Sequence, residues 1–534
     1  MRQPGFEPGP SAWEAEILPL DYWRVEKRLM SKFIKIIVVW WIMGKVFFVT
    51  TAIDYVNAEP HIGHAYQKVI ADVLARWHKL NDEKVFFLTG TDEHGQKIER
   101  KAAEEKKDPK EFCDEMAKKF KDAWEELDVK SDRFIRTTDK DHGEFVKRFV
   151  KRMYERGDIY KGSYEGWYCV PCETFYTEKD LVEKSCPVHK RPAEYLSEKT
   201  YYFRMSKYQK KLLQWYEEHP EFVLPETRRN EIKNRVKEGL QDLSITRTSF
   251  RWGIPFPYDD KHILYVWYEA LINYLSGAGK KQEYWPATLH LLGKDNGWFH
   301  AVIWPTMLFS AGYPLPRTVF VHGFLTVNGE KISKTLGNVI SPLYLKKKYG
   351  ADAVRYFLVR EIPFGEDGNF SERDLVKRHN NELANEVGNL VSRTLTLIEK
   401  KLGGRIEKAA IEKELFKKVD VKKIKNLMEG LKLNEALAEI YKFVQASNKY
   451  ISDKAPWKVE DKKEVNRILY NLFEAIRILS ILLSPFIPNT AEKINGQLGI
   501  KGGKLKDAVP GKVKEAKVKK GEILFKKIED GSYN

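Results

Sequence analysis

The sequence predicts an α/β core built on a parallel sheet, interrupted by an inserted segment and followed by an α-helical bundle. Three patterns carry that expectation. Val46-Phe47-Phe48-Val49-Thr50-Thr51 and Lys84-Val85-Phe86-Phe87-Leu88 are apolar runs of strand length, and Val69, Ile70, Val73, Leu74 and Trp77 form a one-sided helical stripe between them. Strand, helix and strand at this spacing make a βαβ unit, which binds ligands at the carboxyl edge of a parallel sheet. Far downstream, Leu291-Leu292-Gly293-Lys294-Asp295 and Val319-Phe320-Val321-His322-Gly323 read as two more strand-to-loop edges of that sheet. From about Arg373 long helical stripes take over, among them Leu383, Val387, Leu390, Val391, Leu397 and Ile398, then Ile468, Leu469, Leu472, Phe473, Ile476 and Leu479. That is the pattern of a bundle, reached through Gly365-Glu366-Asp367-Gly368-Asn369.

Composition bounds the possibilities. A chain of 534 residues exceeds one core and calls for two or three domains. With 43% hydrophobic and 31% charged residues it is a globular chain rather than a disordered one. The net charge of +16 fits a polyanionic partner or, more plainly, a solvated lysine-rich surface. Four cysteines in such a length do not make a disulfide scaffold, so a reducing cytoplasm is expected. There is no glycine-rich dinucleotide fingerprint and no P-loop lysine motif, which argues against hydride transfer and P-loop phosphotransfer.

The first strand leads into Pro60-His61-Ile62-Gly63-His64 and a helix. Pro60 suits the first helical position, where its missing N–H costs nothing. His61 and His64, three apart, then flank a helix N-terminus whose N–H groups and dipole favour phosphate. Gly63 removes a side chain where a base or ribose could approach. The second strand ends at Thr91-Asp92-Glu93-His94-Gly95. Downstream, Gly329-Glu330-Lys331-Ile332-Ser333-Lys334-Thr335 supplies two ammonium groups on a glycine-flanked loop. Taken singly, the histidines are more simply a cap and a packed ring, and the lysines a solvated loop. As a pair of half-sites at one sheet edge they can neutralise a triphosphate from both sides.

Between the halves lie Cys169-Val170-Pro171-Cys172 and Cys186-Pro187-Val188-His189. Cys-x₂-Cys followed by Cys-x₂-His has the spacing of a closed tetrahedral zinc site, with Cys169, Cys172, Cys186 and His189 as ligands and a structural role. A redox dithiol would explain Cys169 and Cys172 alone. Cys113, at helical spacing with Phe112, Met116, Phe120 and Trp124, reads as buried packing.

The His61-to-His64 and Lys331-to-Thr335 segments resemble the two signatures of class I aminoacyl-tRNA synthetases. Tyr265-Val266-Trp267-Tyr268-Glu269-Ala270, Gly293 to His300, Thr51 to Asn57 and Arg251-Trp252-Gly253-Ile254-Pro255 are similar to the methionyl branch of that family. The resemblance runs from Met43 to about Pro488, with Ile332 in place of the usual methionine, Thr335 in place of serine, and Asn296 where some members carry an apolar residue. It implies a Rossmann-like parallel sheet split by a zinc-binding connective insertion, and the two-step joining of methionine to tRNA(Met), elongator and initiator alike. Catalysis then falls to His61 and His64 on the phosphates and to Lys331 and Lys334 on the pyrophosphate side. Pro60, Gly63, Gly293, Asp295 and Ser333 attend the ATP, which brings Mg²⁺, with Asp295 at the ribose. Asp92 pairs with the methionine ammonium. Ile53, Tyr55, Trp267, Ala270, Leu271, Tyr274, Phe299, His300 and Trp304 wrap the thioether, whose sulfur suits aromatic contact. In the helical end Asn389, Arg393 and Trp457 match the anticodon-reading positions, with Trp457 as a stacking plane.

The expected organisation is therefore 43–160 and 259–372 as the two catalytic halves, 161–258 as the insertion, 373–500 as the helical anticodon-binding domain and 501–534 as a lysine-rich tail. The tail is either a basic RNA arm or an end that folds back on the core. A monomer is expected. Residues 1–42 look foreign to the rest. Phe33 to Met43 is apolar apart from Lys35 yet too short to cross a bilayer. Gly5-Phe6-Glu7-Pro8 is what the generic T-arm of a tRNA gene would encode, so the expected start is Met43. Two other readings compete: a related class I enzyme or nucleotidylyltransferase, and a non-catalytic RNA-binding relative. The latter should have lost His61, His64 or Lys331.

Overall fold

The computed structural model describes residues 46–169, 174–176, 181–187, 190–279, 282–332 and 337–529. The expectation for residues 1–42 lies outside them, as do Cys172, His189, Ser333, Lys334 and Thr335 and the side chain of Lys331. Residues 47–534 form one compact unit.

The core is a seven-stranded sheet. Its strands are β1 (Val46–Thr51), β2 (Asp54–Tyr55), β3 (Lys84–Asp92), β4 (Arg133–Arg136), β5 (Val223–Leu224), β6 (Leu289–Gly293) and β7 (Thr318–His322). The order is β2-β3-β1-β6-β7-β5, with β4 also on β3. The pairings β2–β3, β3–β4, β1–β6, β6–β7 and β7–β5 are all parallel. Parallel strands buried on both faces read as continuous apolar runs, and β6 and β7 are buried along their whole length. The first crossover, α1 (Ile62–Leu80), lays Val69, Ile70, Val73, Leu74 and Trp77 on the sheet, each at most 1% exposed. Burying side chains of this size contributes roughly 1.5–3 kcal/mol apiece.

The segment after β4 builds a four-stranded sheet that includes Ile159–Cys169 and Glu194–Phe203, paired antiparallel. It is not a wholly separate insertion: Val223–Leu224 returns to the core as edge strand β5, with Val223 opposite Val319. After β7, Leu325–Val327 pairs antiparallel with Glu330–Lys331 and parallel with Gly368–Phe370. The Gly365-to-Asn369 stretch, expected as a connector, is thus partly a strand, because its backbone N–H and C=O groups find a ladder there.

Short α2 (Val266–Ala270) lies in the second catalytic half. Beyond the sheet come α3 (Ala351–Glu361), α4 (Asn389–Leu402), α5 (Leu433–Lys454), α6 (Lys462–Leu483) and α7 (Pro488–Leu498). Arg355 on α3 is fully buried and clamps core to bundle. It pairs with Asp72 at 2.7 Å and donates to the carbonyls of Leu127, Asp128, Pro485 and Phe486. The lysine-rich tail folds back. Gly511 and Val513 N–H groups donate to Glu474, Glu515–Lys517 pairs with Arg405–Glu407, and Ile528 and Asn380 exchange hydrogen bonds.

Candidate active site

His61 is the N-cap of α1, which starts at Ile62; Pro60 therefore sits one residue before the cap and not at the first helical position. The reason is a reciprocal cap. Gly63 N–H donates to His61 Nδ1 at 3.1 Å, and His61 N–H donates to His64 Nδ1 at 3.2 Å. The two rings stack with centroids 3.8 Å apart. Because both Nδ1 atoms accept, each neutral ring carries its proton on Nε2 and presents an N–H donor. Burial, then the nearby Lys68 ammonium, holds the His64 pKa down to about 3. It is a neutral donor at physiological pH, placed at a helix N-terminus whose dipole favours a negatively charged group.

The lysine loop comes to this turn. A methyl built on Gly63 would lie 3.5 Å from Ile332 Cδ1 and 3.0 Å from His61 Cε1. Ile62 N–H donates to Ile340 O at 3.0 Å, so the loop is anchored on its far side as well. The backbone of Lys331 is fixed opposite Thr326. Beside the imidazole turn, Gly293 ends β6 opposite His322 at the end of β7. A Cβ at Gly293 would lie 2.9 Å from the Oδ1 of exposed Asp295, so this carboxylate sits directly beside the glycine.

The aromatic residues assemble as a second cluster at the same edge. Trp267 on α2 stacks on Phe299 with centroids 3.9 Å apart. Tyr274, His300 and Trp304 are almost fully buried, as are Ala270 and Leu271, whereas Ile53 and Tyr55 are half-buried. His300 Nδ1 meets the Asn296 carbonyl at 3.0 Å, so that nitrogen carries the proton. Its Nε2 then accepts from Tyr274 Oη at 2.7 Å. Burial lowers the His300 pKa to about 4 and raises that of Tyr274, keeping both neutral. Phe299–Ile303 is a π-helical turn, a wide turn that shifts the direction of His300 relative to a regular helix. Asp92, buried, lies opposite Tyr55 in the β2–β3 ladder.

In the bundle, Asn389 opens α4 and is exposed, Arg393 is half-buried one turn on, and the Arg393 guanidinium lies 5.5 Å from the Trp457 ring centroid. Trp457 is 42% exposed, following Ala455, whose φ of 41° caps α5 in the left-handed region. In the insertion, the Cys169 and Cys186 thiols are buried and not joined in a disulfide, and Cys169 ends a strand opposite Thr174. Among the described residues no three metal-ligating side chains converge. Cys113 is fully buried, and burial raises its thiol pKa far beyond the reactive range.

A family model described as "tRNA synthetases class I (M)" matches residues 47–195 and 179–395, and one described as "Anticodon-binding domain of tRNA ligase" matches residues 414–529. A methionine–tRNA ligase of Caldanaerobacter subterraneus is 47% identical over 91% of this chain and 80% of its own length. The chain belongs to the class I methionyl-tRNA synthetases. It is a methionine–tRNA ligase. The Thermotoga maritima ligase is 46% identical over 90% of this chain and 80% of its own. Among solved structures, Mycobacterium tuberculosis methionyl-tRNA synthetase in complex with methionyl-adenylate superposes with a TM-score of 0.86, at 40% identity over 90% of this chain and 99% of that one.

For this methionyl-tRNA synthetase, sequence reasoning missed two buried charged residues beside these clusters. Glu269 is fully buried between His94 Nδ1 at 2.7 Å and His142 Nε2 at 2.9 Å. Burial pushes its carboxyl up, and the two imidazoles more than offset this, leaving its pKa lowered. The bond ties the loop after Asp92 to α2, which carries Trp267. Lys68 was missed too. The signal available was a polar seam, His64, Lys68, Asp72 and Arg76 at intervals of four along the helix.

Proposed function

We propose that the methionine carboxylate attacks the α-phosphorus of ATP at the carboxyl edge of the core sheet, expelling pyrophosphate, and that the terminal adenosine of tRNA(Met) then takes methionine from the adenylate. One observation carries the reading: the imidazole turn and the flanks of the lysine loop meet at Gly63–Ile332 and Ile62–Ile340. No protein nucleophile is needed, so the rate gain comes from positioning and from charge stabilisation on the phosphate oxygens. His61 and His64 donate through Nε2 to the phosphates, and Lys331 and Lys334 hold the pyrophosphate side. Pro60, Gly63, Gly293 and Ser333 shape the nucleotide site, Asp295 takes the ribose, and Mg²⁺ arrives with ATP.

Asp92 pairs with the methionine ammonium. Ile53, Tyr55, Trp267, Ala270, Leu271, Tyr274, Phe299, His300 and Trp304 enclose the thioether. Apolar shape separates a methylene by only about 1–3 kcal/mol, which makes leucine and homocysteine the natural competitors. Asn389, Arg393 and Trp457 read the anticodon of elongator and initiator tRNA. The working division is 43–160 and 259–372 for catalysis, 161–258 for the connective insertion and 373–500 for the anticodon, in a cytoplasmic monomer.

Cys169, Cys172, Cys186 and His189 hold one structural zinc. The two described thiols fit it, being buried soft donors not joined in a disulfide. Metal analysis of protein prepared without added zinc should find about one zinc per chain; none would contradict the assignment. The activity itself is tested by amino-acid-dependent exchange of labelled pyrophosphate into ATP. Methionine should support exchange well above the other nineteen amino acids, and exchange driven best by another amino acid would overturn the proposal.

A further inference from the structure

Lys68 is fully buried on α1, one turn beyond His64. Its Nζ donates to Asp54 Oδ1 at 2.8 Å, to the Ala52 carbonyl at 2.9 Å and to Gln67 Oε1 at 2.9 Å. An ammonium has three protons, and all three are spent here. Burial pushes the Lys68 pKa down and the Asp54 pKa up, and each charge pulls the other back toward ionisation. Asp54 Oδ2 has no hydrogen-bond partner among the described residues, so Lys68 is the main counter-charge of a buried carboxylate. His61 contributes a smaller part.

An ion pair of this kind is an expensive way to hold a fold together, since well-packed apolar residues of the same volume do it at equal or lower cost. Its place suggests another use. Asp54 and Tyr55 form β2, with Tyr55 opposite Asp92, and Ala52 and Asp54 flank Ile53. The ammonium thus fixes the turn that presents Ile53 and Tyr55 to the aromatic cluster. The Gln67 amide nitrogen, whose oxygen Lys68 holds, reaches His322 Nε2 at 3.5 Å at the end of β7. We infer that Lys68, with Asp54, is a positioning residue for the methionine side of the site, locking the Ala52–Tyr55 turn onto the helix that carries His61 and His64. This rests on the pocket assignment made above and adds a residue to it that touches no substrate.

The test is an apolar replacement of both partners, Asp54→Leu with Lys68→Met, in the full chain, beside Lys68→Met alone. The single variant leaves a buried unpaired carboxylate and should lower Tm. The double variant should regain most of the lost Tm, yet in pyrophosphate exchange its methionine KM should stay raised by about tenfold while the ATP KM moves by less than about threefold. A merely structural pair predicts that methionine KM recovers together with Tm, and that result would overturn the inference, as would equal rises in both KM values. Should the double variant not fold, Asp54→Asn keeps the shape and removes the charge. Its methionine KM should rise by at least about threefold with ATP KM unchanged, and an unaltered methionine KM overturns the inference. Wild-type protein that fails to exchange with methionine sinks the pocket assignment instead.

Discussion

The aromatic cluster at the sheet edge and the face of the bundle proposed to read the anticodon both rely on large rings, but they hold them differently. Tyr274, His300 and Trp304 are at most 2% exposed; a hydrogen bond whose direction is set by the Asn296 carbonyl ties Tyr274 to His300, and Trp304 packs beside the Tyr274 ring. Trp457 is 42% exposed and has the Arg393 guanidinium beside its ring. A small apolar ligand is selected by an enclosure whose walls are fixed beforehand, whereas an unpaired base needs an open plane to stack on. Damage to the first should spread through its neighbours and appear in amino-acid activation. Damage to the second should stay local and appear only with RNA.

The largest effect should come where the two regions share a reaction. His64→Ala removes the donor proposed to meet the developing phosphate charge and should cut pyrophosphate exchange by about 10²–10³-fold, with tRNA charging falling in parallel. Trp457→Ala should separate the regions. Loss of a stacking plane worth about 1–3 kcal/mol predicts a roughly tenfold to hundredfold fall in kcat/KM for tRNA with exchange unchanged. Equal loss in both assays would erase the contrast. Tyr274→Phe strips the proton that His300 accepts, and should raise methionine KM by up to about tenfold with ATP KM unmoved; steady-state exchange kinetics decide it.

The smallest effect is on pH dependence. His300 and His322 have folded pKa values of about 4 and His64 about 3, against 6.5 for a free imidazole, chiefly through burial. Between those values and 6.5 the unfolded chain binds more protons, so stability rises with pH across this window and the contribution is lost as pH falls through it. Tm should be level above about pH 7 and decline below about 6.5, and His300→Gln should shallow the decline. A slope unaltered by that substitution would show that His300 is not held neutral by the fold.

Local periodicity made much of this legible. The βαβ start, the β6 and β7 edges and the bundle stripes are runs of five or more residues whose spacing reflects one buried face. What escaped were features set by distant partners. Val223–Leu224 and Gly368–Phe370 are too short for any period to register, and exist as strands only because β7 and Leu325–Val327 pair with them. Pro60 was placed two positions too far into the helix because a histidine cap depends on side-chain geometry that composition does not encode. His379–Gly388, expected as an ordinary helix, is a π-helical stretch just before Asn389. The Lys68 and Glu269 contacts join residues 14 and more than 100 positions apart, and buried charge in a helix otherwise reads as surface. The two readings of the tail separated only once Glu474 was seen to hold the Gly511 and Val513 amides.

Arg355 has a consequence for how the molecule comes apart. Its guanidinium, fully enclosed, is saturated by carbonyls from the core and the bundle together with Asp72 of the helix that His61 caps. Opening either region alone would take away part of that acceptor set and leave water to replace it. Core and bundle should therefore melt with some coupling, and a fragment ending between them would keep only Asp72 and the Leu127 and Asp128 carbonyls of that set.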